Sequence, residues 1–238
     1  MLVDAIILAG DKEERALTPI GSKPMILWVL EALKACKSIR RIAVVGPSKL
    51  ATILPRDTLL MPPGETTVDS ALNGAAAFPK KKWLLLVTAD IPLLKPVAVQ
   101  DFLVRCTKKQ ADFYYPIVSR ERSEASYPGV KRTYVRLREG TFTGGNMALI
   151  KAEALVNCAS KGQELVRLRK SPLALSHLIG LKFIIKFLTR QLTIEDVEEN
   201  FSRLLGVKGV GVVTPYPEIG IDIDKESDLK LARRTLIS

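Results

Sequence analysis

Hydrophobic and polar positions follow two alternating patterns along the first half of the chain. Continuous apolar runs of strand length, such as VDAIILAG and KWLLLVTAD, are typical of strands covered on both faces. Between them, apolar residues recur at helical spacing, as Ile26, Leu30 and Leu33 do in KPMILWVLEALKAC. Further strands are predicted in RRIAVVG, DTLLMP and DFYYPIVS, and further helices in ETTVDSALNGAAAF and PVAVQDFLVRCTKKQ. This alternation predicts an α/β fold with a mostly parallel, doubly wound sheet flanked by helices.

The pattern changes after Ser119. KRTYVRLREGTFTGGNMALI alternates like an antiparallel excursion with Gly-containing turns, and residues 152–205 have the pattern of a helical insertion. GVGVVTPYP then predicts a strand, and GIDIDKESDLKLARRTLI an extended piece followed by a helix. We expect one domain over residues 1–238, with a first half at 1–119 and a second half at 120–238.

The stretch SPLALSHLIGLKFIIKFLTRQL allows two interpretations. Lys182, Lys186 and Arg190 recur every four residues, which predicts a basic stripe on a helix whose other faces are apolar. The segment is too short and too charged to span a membrane. It is either a helix packed on the sheet with a solvated edge, or a surface that makes weak contact with a membrane or a lipid-linked substrate. His177, the single histidine, is interpreted as a packing or surface residue.

Composition narrows the class of partner. The 238 residues are 47% hydrophobic, enough for a substantial core, and the net charge of +11 implies an anionic partner. Nucleic acid is the least supported, since no aromatic and basic platform is present. Three cysteines, Cys36, Cys106 and Cys158, lie far apart without metal-ligand spacing, which predicts reduced thiols in a cytoplasmic protein. No apolar signal segment precedes Val3, so we expect the fold to start at once.

The first predicted strand ends in a turn suited to phosphate. Ala9 and Gly10 end the strand, and backbone N–H groups can approach a phosphate closely where no Cβ intervenes. Arg15 and Lys23 would add positive charge. A surface loop of mixed charge fits the same residues.

Two later strand ends carry carboxylates. Asp90 follows the apolar run WLLLVTA, where it could hold Mg²⁺, begin a turn or cap a helix. Asp222 and Asp224 alternate with Ile221 and Ile223, so in an extended segment both acids face the same side. Our interpretation gives Asp222 to the metal and Asp224 to a helix cap or a supporting position.

Together these segments resemble the MobA-like nucleotidyltransferases, which include molybdenum cofactor guanylyltransferase and methylerythritol phosphate cytidylyltransferase. LAGDKEERA followed by SKP is similar to the family's opening LAGGxGxRM and PK, with Leu8, Ala9, Gly10, Arg15 and Lys23 matching. TADIP and DIDKESDL are similar to its two metal-binding motifs, and TGGNMALI to a stretch on the acceptor side. The resemblance implies a Rossmann-like fold of the type found in nucleotide-diphospho-sugar transferases and GT-A glycosyltransferases.

The resemblance also implies a reaction. Asp90 and Asp222 would bind Mg²⁺, the base of CTP or GTP would lie near Gly64 and Ser70, and Asn146 would lie on the acceptor side. A phosphate oxygen of a phosphorylated small molecule would attack the α-phosphorus and release pyrophosphate. The Gly64 and Ser70 segment favours CTP over GTP by a small margin. The alternatives are a nucleotide-sugar glycosyltransferase and a non-catalytic nucleotide-binding protein.

Two local features refine this expectation. Asp11 and Glu13 stand where the family has glycines, and together with Glu14 they add negative charge where a triphosphate would lie. Lys12 and Arg15 offset part of this charge. We therefore predict a phosphate loop that still binds nucleotide, but less tightly. The second feature is a basic face of Arg132, Tyr134, Arg136 and Arg138 on a predicted strand, which is either an acceptor-phosphate site centred on Arg136 or a solvated outer face.

Overall fold

A nine-stranded mixed sheet forms the centre of the molecule, in a computed structural model that describes residues 1–10, 15–79, 82–168 and 178–237. Its strands run in the order β5-β4-β1-β6-β10-β7-β9-β8, and β11 pairs with β7. The bounds are β1 Val3–Leu8, β4 Ile39–Val45, β5 Leu59–Met61, β6 Trp83–Thr88, β7 Phe113–Ser119, β8 Val135–Leu137, β9 Gly140–Gly144, β10 Met147–Lys151 and β11 Gly209–Thr214. A separate pair joins β2 Pro19–Ile20 to β3 Lys23–Pro24.

Helices flank this sheet. They are α1 Met25–Lys34, α2 Thr67–Ala76, α3 Pro96–Arg105, α4 Arg120–Ser126, α5 Ala152–Leu168, α6 Leu181–Leu188, α7 Ile194–Leu205 and α8 Glu226–Ile237. Short 3₁₀ turns cover Ser48–Thr52, Cys106–Lys108 and Pro217–Gly220. None of these helices combines the length and apolar character needed to cross a bilayer.

The parallel half of the sheet follows the predicted pattern. β1 pairs in parallel with β4 and β6, and β4 pairs in parallel with β5. Successive side chains of β1 enter different cores: Ala5 and Ile7 belong to one hydrophobic cluster, and Ile6 belongs to another on the opposite face. Both faces of β1 are therefore buried, which explains its uninterrupted apolar run.

The second half adds the predicted antiparallel excursion. β10 pairs antiparallel with β6 and β7, and β8 pairs antiparallel with β9. β7 pairs with β9 over residues 117–119 and with β10 over residues 113–114, and Gly145 and Asn146 lie at the break between these pairings. The predicted helical insertion consists of α5, α6 and α7 in the described ranges.

Two sequence predictions about this half are wrong in detail. The strand expected from Arg132 to Arg138 is only Val135–Leu137, so the four predicted residues do not form one strand face. The helix carrying Lys182 and Lys186 ends at Leu188, and Arg190 has a positive φ of 60°, so it does not continue the stripe. Lys186 is committed to an ion pair with Asp196 at 2.5 Å.

The three cysteines are free and buried. Burial raises the pKa of Cys106 to about 12 and also raises the pKa values of Cys36 and Cys158. Because the thiolate is the reactive form, these thiols are inert packing residues at neutral pH.

Candidate active site

A cavity of about 400 Å³, which we call the first cavity, lies at the carboxyl ends of β1 and β6. Leu8, Ala9 and Gly10 line it from β1, and Thr88 and Asp90 line it from β6. In open α/β sheets this is the edge where ligands bind. The structure therefore brings four predicted site residues, Leu8, Ala9, Gly10 and Asp90, to one place.

Gly10 is required by packing at this edge. A Cβ added there would lie 2.9 Å from Pro63 Cβ and 3.5 Å from Ser70 Oγ. The absence of a side chain thus allows the turn after β1 to lie close against the loop before α2.

That loop forms the opposite wall of the first cavity. Gly64 and Ser70 both line it, and the Gly64 N–H donates to Ser70 Oγ at 3.0 Å. Thr66 caps α2 through a reciprocal pair of hydrogen bonds with Asp69, which fixes the start of the helix. Gln163 of α5 also donates to Asp69, at 2.5 Å. The loop is consequently tied to two helices.

Asp90 is a partly buried carboxylate in the cavity wall. The Thr88 hydroxyl donates to its Oδ1 at 2.6 Å. Burial raises the pKa of Asp90, the Thr88 hydrogen bond opposes that shift, and the negative charge of Asp224 adds to it. The ionised form of Asp90 is therefore held at a free-energy cost that a bound cation would relieve.

The two acids of DID lie in different surroundings from those predicted for them. The Ile223 N–H donates to the Asp90 carbonyl at 2.9 Å, so the two segments lie side by side as predicted. Asp224, not Asp222, lines the first cavity together with Asp90, and its carboxylate pairs with Arg15. The carboxylate of Asp222 pairs instead with the guanidinium of Arg132. Asp228 supplies the carboxylate at the start of α8, by accepting the N–H groups of Asp224 and Lys225.

Lys23 is also placed differently from the prediction. It lines neither this cavity nor the second one described below. Its ammonium pairs with Glu31 of α1 and lies 3.8 Å from the ring centroid of Trp28. Of the two predicted cations, only Arg15 reaches the first cavity.

A second cavity of about 670 Å³ adjoins the first and shares Asp224 with it. Asn146, Arg132 and Asp222 line its walls, as do Lys131 and Lys225. Asn146 is held by its backbone, since its N–H donates to the Ile219 carbonyl at 2.9 Å and its carbonyl accepts the Thr88 N–H at 3.0 Å. The Asn146 side of the site is therefore joined directly to β6.

Arg136 lies outside both cavities, exposed on β8. The basic residue that does reach the second cavity is Arg132, whose Nη2 also donates to the Asp222 carbonyl at 3.0 Å. The sequence indicated Arg132 through its place in the basic segment KRTYVRLREG. The predicted strand, however, grouped Arg132 with Arg136 and Arg138 and not with Asp222.

Asp90 and Asp224 form a donor set that fits Mg²⁺. Mg²⁺ prefers one or two carboxylates and completes its shell with water and phosphate oxygens. Among the described residues, no group of three or more His, Cys, Asp or Glu side chains is placed to hold a metal ion. Asp90 and Asp224 line the same cavity, and burial, with a smaller contribution from the charge of Asp224, raises the pKa of Asp90. This matches a site in which protein carboxylates and substrate oxygens share one cation.

The acidic substitutions of the opening loop, Asp11 to Glu14, and His177 lie outside the described residues. Their predicted effects remain predictions. The wall residues that sequence reasoning did not single out include Thr88 and Val166; Thr88 was within the quoted TAD motif, whereas Val166 carried no signal because α5 is distant in sequence.

This arrangement is typical of a nucleotide-binding α/β enzyme: a small-residue turn, an acid after β6, a second acid before α8 and a basic residue line one cavity. The model of the MobA-like NTP transferase domain matches residues 5–168, and the chain belongs to that family. It is therefore a nucleotidyltransferase, which transfers a nucleoside monophosphate from a nucleoside triphosphate.

Solved structures agree with this fold. A hypothetical transferase from Thermus thermophilus is 39% identical, with a TM-score of 0.85 over 96% of this chain and 100% of that one. The 4-diphosphocytidyl-2C-methyl-D-erythritol synthase of Anaerococcus prevotii is 12% identical, with a TM-score of 0.63 over 100% and 96%. A CMP:2-keto-3-deoxy-manno-octonic acid synthetase complexed with CTP is 13% identical, with a TM-score of 0.63 over 99% and 98%. A comparison with curated protein sequences finds no match.

Proposed function

We propose that this nucleotidyltransferase uses Mg²⁺ and CTP or GTP, and transfers the nucleotide to a phosphorylated small molecule with release of pyrophosphate. The observation that carries the proposal is the position of Asp224, which lines both cavities. A nucleotide in the first cavity and an acceptor in the second would meet at this carboxylate. We treat residues 1–238 as one nucleotidyltransferase domain.

The first cavity offers separate places for phosphates and base. Leu8, Ala9 and Gly10 line the first cavity, so their backbone groups would face the triphosphate and Arg15 would supply positive charge beside it. Gly64 and Ser70 lie on the wall where we place the base. One distant fold relative, the CMP:2-keto-3-deoxy-manno-octonic acid synthetase, is complexed with CTP, which supports CTP as the first nucleotide to test.

The chemical step needs positioning and charge neutralisation more than acid–base catalysis. Asp90 and Asp224 would hold Mg²⁺, which when bound supplies neutralisation of the phosphate charge. Asn146, Arg132 and Lys131 would orient the acceptor phosphate toward the α-phosphorus. Because a phosphate monoester is already ionised, no general base is required.

Replacement of Asp90 tests the assignment. Asp90→Asn should lower the rate of pyrophosphate release by at least about a hundredfold, because it removes one carboxylate from the site that neutralises transferring charge. The control is Asp57→Asn, whose carboxylate pairs with Lys34 on the surface at 2.6 Å. Four nucleoside triphosphates would be assayed against sugar, polyol and pterin phosphates. Equal rates for Asp90→Asn and the wild type would contradict the proposal.

We also keep Arg136 as a proposed contact of the acceptor phosphate. Arg136→Ala should raise the acceptor KM and leave nucleotide affinity unchanged. Its exposed position outside both cavities makes Arg132 the stronger candidate for direct contact. An unchanged acceptor KM would remove Arg136 from the site.

A further inference from the structure

An apolar groove of about 410 Å³ lies between one face of the sheet and α7. Residues of β7, β8 and β9 that point to that face form one wall, and α7 forms the other; they include Tyr115, Ile117, Val135, Phe142, Ile194 and Val197. Among the described lining residues, Glu198 is the single charged one, and its Oε1 is occupied by the Gly211 N–H at 2.8 Å. The groove therefore offers hydrocarbon contacts and little hydrogen bonding.

The groove and the second cavity share two lining residues. Thr143 and Gly144 of β9 line both the groove and the second cavity. At Gly144 the chain is closely covered by the groove wall, because a Cβ there would lie 2.5 Å from Tyr115 Oη. One molecule with a polar end and an apolar end could thus occupy both spaces.

The second cavity has donors for an anionic end. Lys131 and Lys225 line it, and neither forms an ion pair with a carboxylate in the described part of the chain. The Nε of Arg132 is buried without a hydrogen-bond partner among the same residues. A phosphate monoester in this cavity would pair with the two lysine ammonium groups.

The helix beside the groove presents apolar side chains to solvent. In α6, Leu181 is 72% exposed, Ile185 is 51% exposed and Leu188 is 71% exposed. Phe183 of the same helix packs against the cluster of Leu137, Phe142 and Leu192 that borders the groove. An apolar surface therefore lies next to the apolar groove.

We propose that the acceptor is a lipid phosphate, whose monoester group lies in the second cavity and whose hydrocarbon chain lies in the groove. This inference rests on the proposed nucleotidyl transfer. In that reaction a phosphate oxygen of the lipid bonds to the α-phosphorus of the nucleotide. The bond from the α-phosphorus to the bridging oxygen breaks, and its electron pair leaves with pyrophosphate; no proton is removed from the monoester dianion.

Chain length is the decisive variable in the test. Butyl phosphate and dodecyl phosphate, each below its critical micelle concentration, would be titrated into the whole protein by isothermal calorimetry. A fully buried methylene strengthens binding about fourfold, so even partial burial should favour dodecyl phosphate by at least about thirtyfold. Equal affinities for the two probes would overturn the inference.

Substitutions in the groove test where the hydrocarbon chain of dodecyl phosphate binds. Val135 is a 40% exposed groove residue, and Val135→Glu should reduce the dodecyl-to-butyl affinity ratio to about threefold or less. Val97→Glu on α3, where Val97 is 50% exposed, is the matched control and should keep the full ratio. Gly211→Val narrows the groove independently, because a Cβ there lies 3.5 Å from Ile194 and 3.6 Å from Ile117. If both Val135→Glu and Gly211→Val fold and keep the full dodecyl-to-butyl affinity ratio, the hydrocarbon chain does not bind in the groove and the inference is overturned.

Turnover separates this inference from the reaction on which it rests. Pyrophosphate release with dodecyl phosphate, and little with butyl phosphate, supports both. Equal release with both probes leaves the reaction standing and overturns the lipid acceptor. A third outcome is that the protein binds dodecyl phosphate selectively, loses this selectivity in Val135→Glu, and neither binds nor turns over any nucleoside triphosphate. This outcome supports the groove assignment and overturns the proposed reaction.

Discussion

Asp90 combines a polar role with a partly buried position. Because burial and the charge of Asp224 raise its pKa, the ionised form that a cation needs is lost on acidification at a higher pH than for an ordinary aspartate. Mg²⁺-dependent nucleotide binding should therefore be strong above this raised pKa and weaken as the pH falls through it. Calorimetry in buffers of different ionisation enthalpy would measure the accompanying proton release. Affinity that does not change with pH would contradict this account.

The same shift predicts an effect on stability. A raised folded-state pKa means that folding disfavours the ionised carboxylate, so Asp90→Asn should raise Tm at neutral pH and lose this advantage in acid. Asp57 is the opposite case: its hydrogen bond with Lys34 lowers its pKa, so its small contribution is present above the unfolded pKa and lost as the pH falls through the folded one. Asp57→Asn should not raise Tm at neutral pH. Thermal melts from acid to neutral pH would show whether the two variants diverge.

Substitutions of Asp222 and Asp224 should affect different properties of the protein. Asp224→Asn should abolish Mg²⁺-dependent nucleotide binding, because Asp224 is the acid that shares the first cavity with Asp90. Asp222→Asn should instead lower the free energy of unfolding by about 2 kcal/mol, since it leaves the mostly buried guanidinium of Arg132 without its carboxylate. Denaturant melts and nucleotide titrations on both variants are the measurement. The reverse assignment of defects would restore Asp222 to the metal position.

These residues mark the limit of sequence reasoning about the site. Gly10 and Asp90 could be found because each ends a strongly apolar strand. The choice between Asp222 and Asp224 could not be made, because alternation places both on one side and their partners, Arg132 and Arg15, are distant in sequence. The position of Lys23 was predicted wrongly because Lys23 of β3 pairs with Glu31, two turns into α1, and no sequence motif indicates this contact.

At the scale of elements, the loop between β5 and α2 is held by close backbone packing. A Cβ at Gly64 would lie 2.3 Å from Asp69 Cβ and 2.7 Å from the Ser70 nitrogen, and a helix N-terminus cannot easily give way. Gly64→Ala should therefore cost about 2 kcal/mol of stability and weaken nucleotide binding. Gly162→Ala on α5 is the control: its Cβ meets Val68 Cγ2 at an ordinary 3.4 Å, and removing a helical glycine should stabilise by up to about 1 kcal/mol. A Tm for Gly64→Ala that is higher than the Tm for Gly162→Ala would contradict the packing argument.

Strands and helices with strong apolar periodicity were predictable, whereas two others were not. α4, with the sequence RERSEAS, has no apolar face to detect; its signals are the Ser119 cap and the ion pair between Arg120 and Glu124. The extent of β8 was also beyond prediction, because the same alternation continues into residues that the ion pair of Arg132 holds outside the sheet.

The exposed apolar face of α6 carries the prediction for a lipid surface. Since Leu181, Ile185 and Leu188 are already in solvent, Ile185→Asp should not unfold the protein but should reduce sedimentation with anionic vesicles by about fivefold or more. Ile237→Asp on α8 is the control, because Ile237 is 54% exposed on a different helix. Equal vesicle binding by Ile185→Asp and Ile237→Asp would mean that the protein binds vesicles through its charge and not through the apolar face of α6.

At the scale of the whole molecule, binding driven by charge should weaken with salt, whereas binding driven by apolar surface should not. The net charge of +11 attracts phosphate-rich substrates, and this attraction is screened as the Debye length shrinks from about 14 Å to about 4 Å between about 0.05 M and about 0.5 M salt. We therefore expect kcat/KM for the nucleoside triphosphate to fall about tenfold over that range. The preference for dodecyl over butyl phosphate should persist, because burial of a hydrocarbon chain is not screened. A preference that disappears with salt would mean that the two probes differ in charge contacts, and would leave the groove without a ligand.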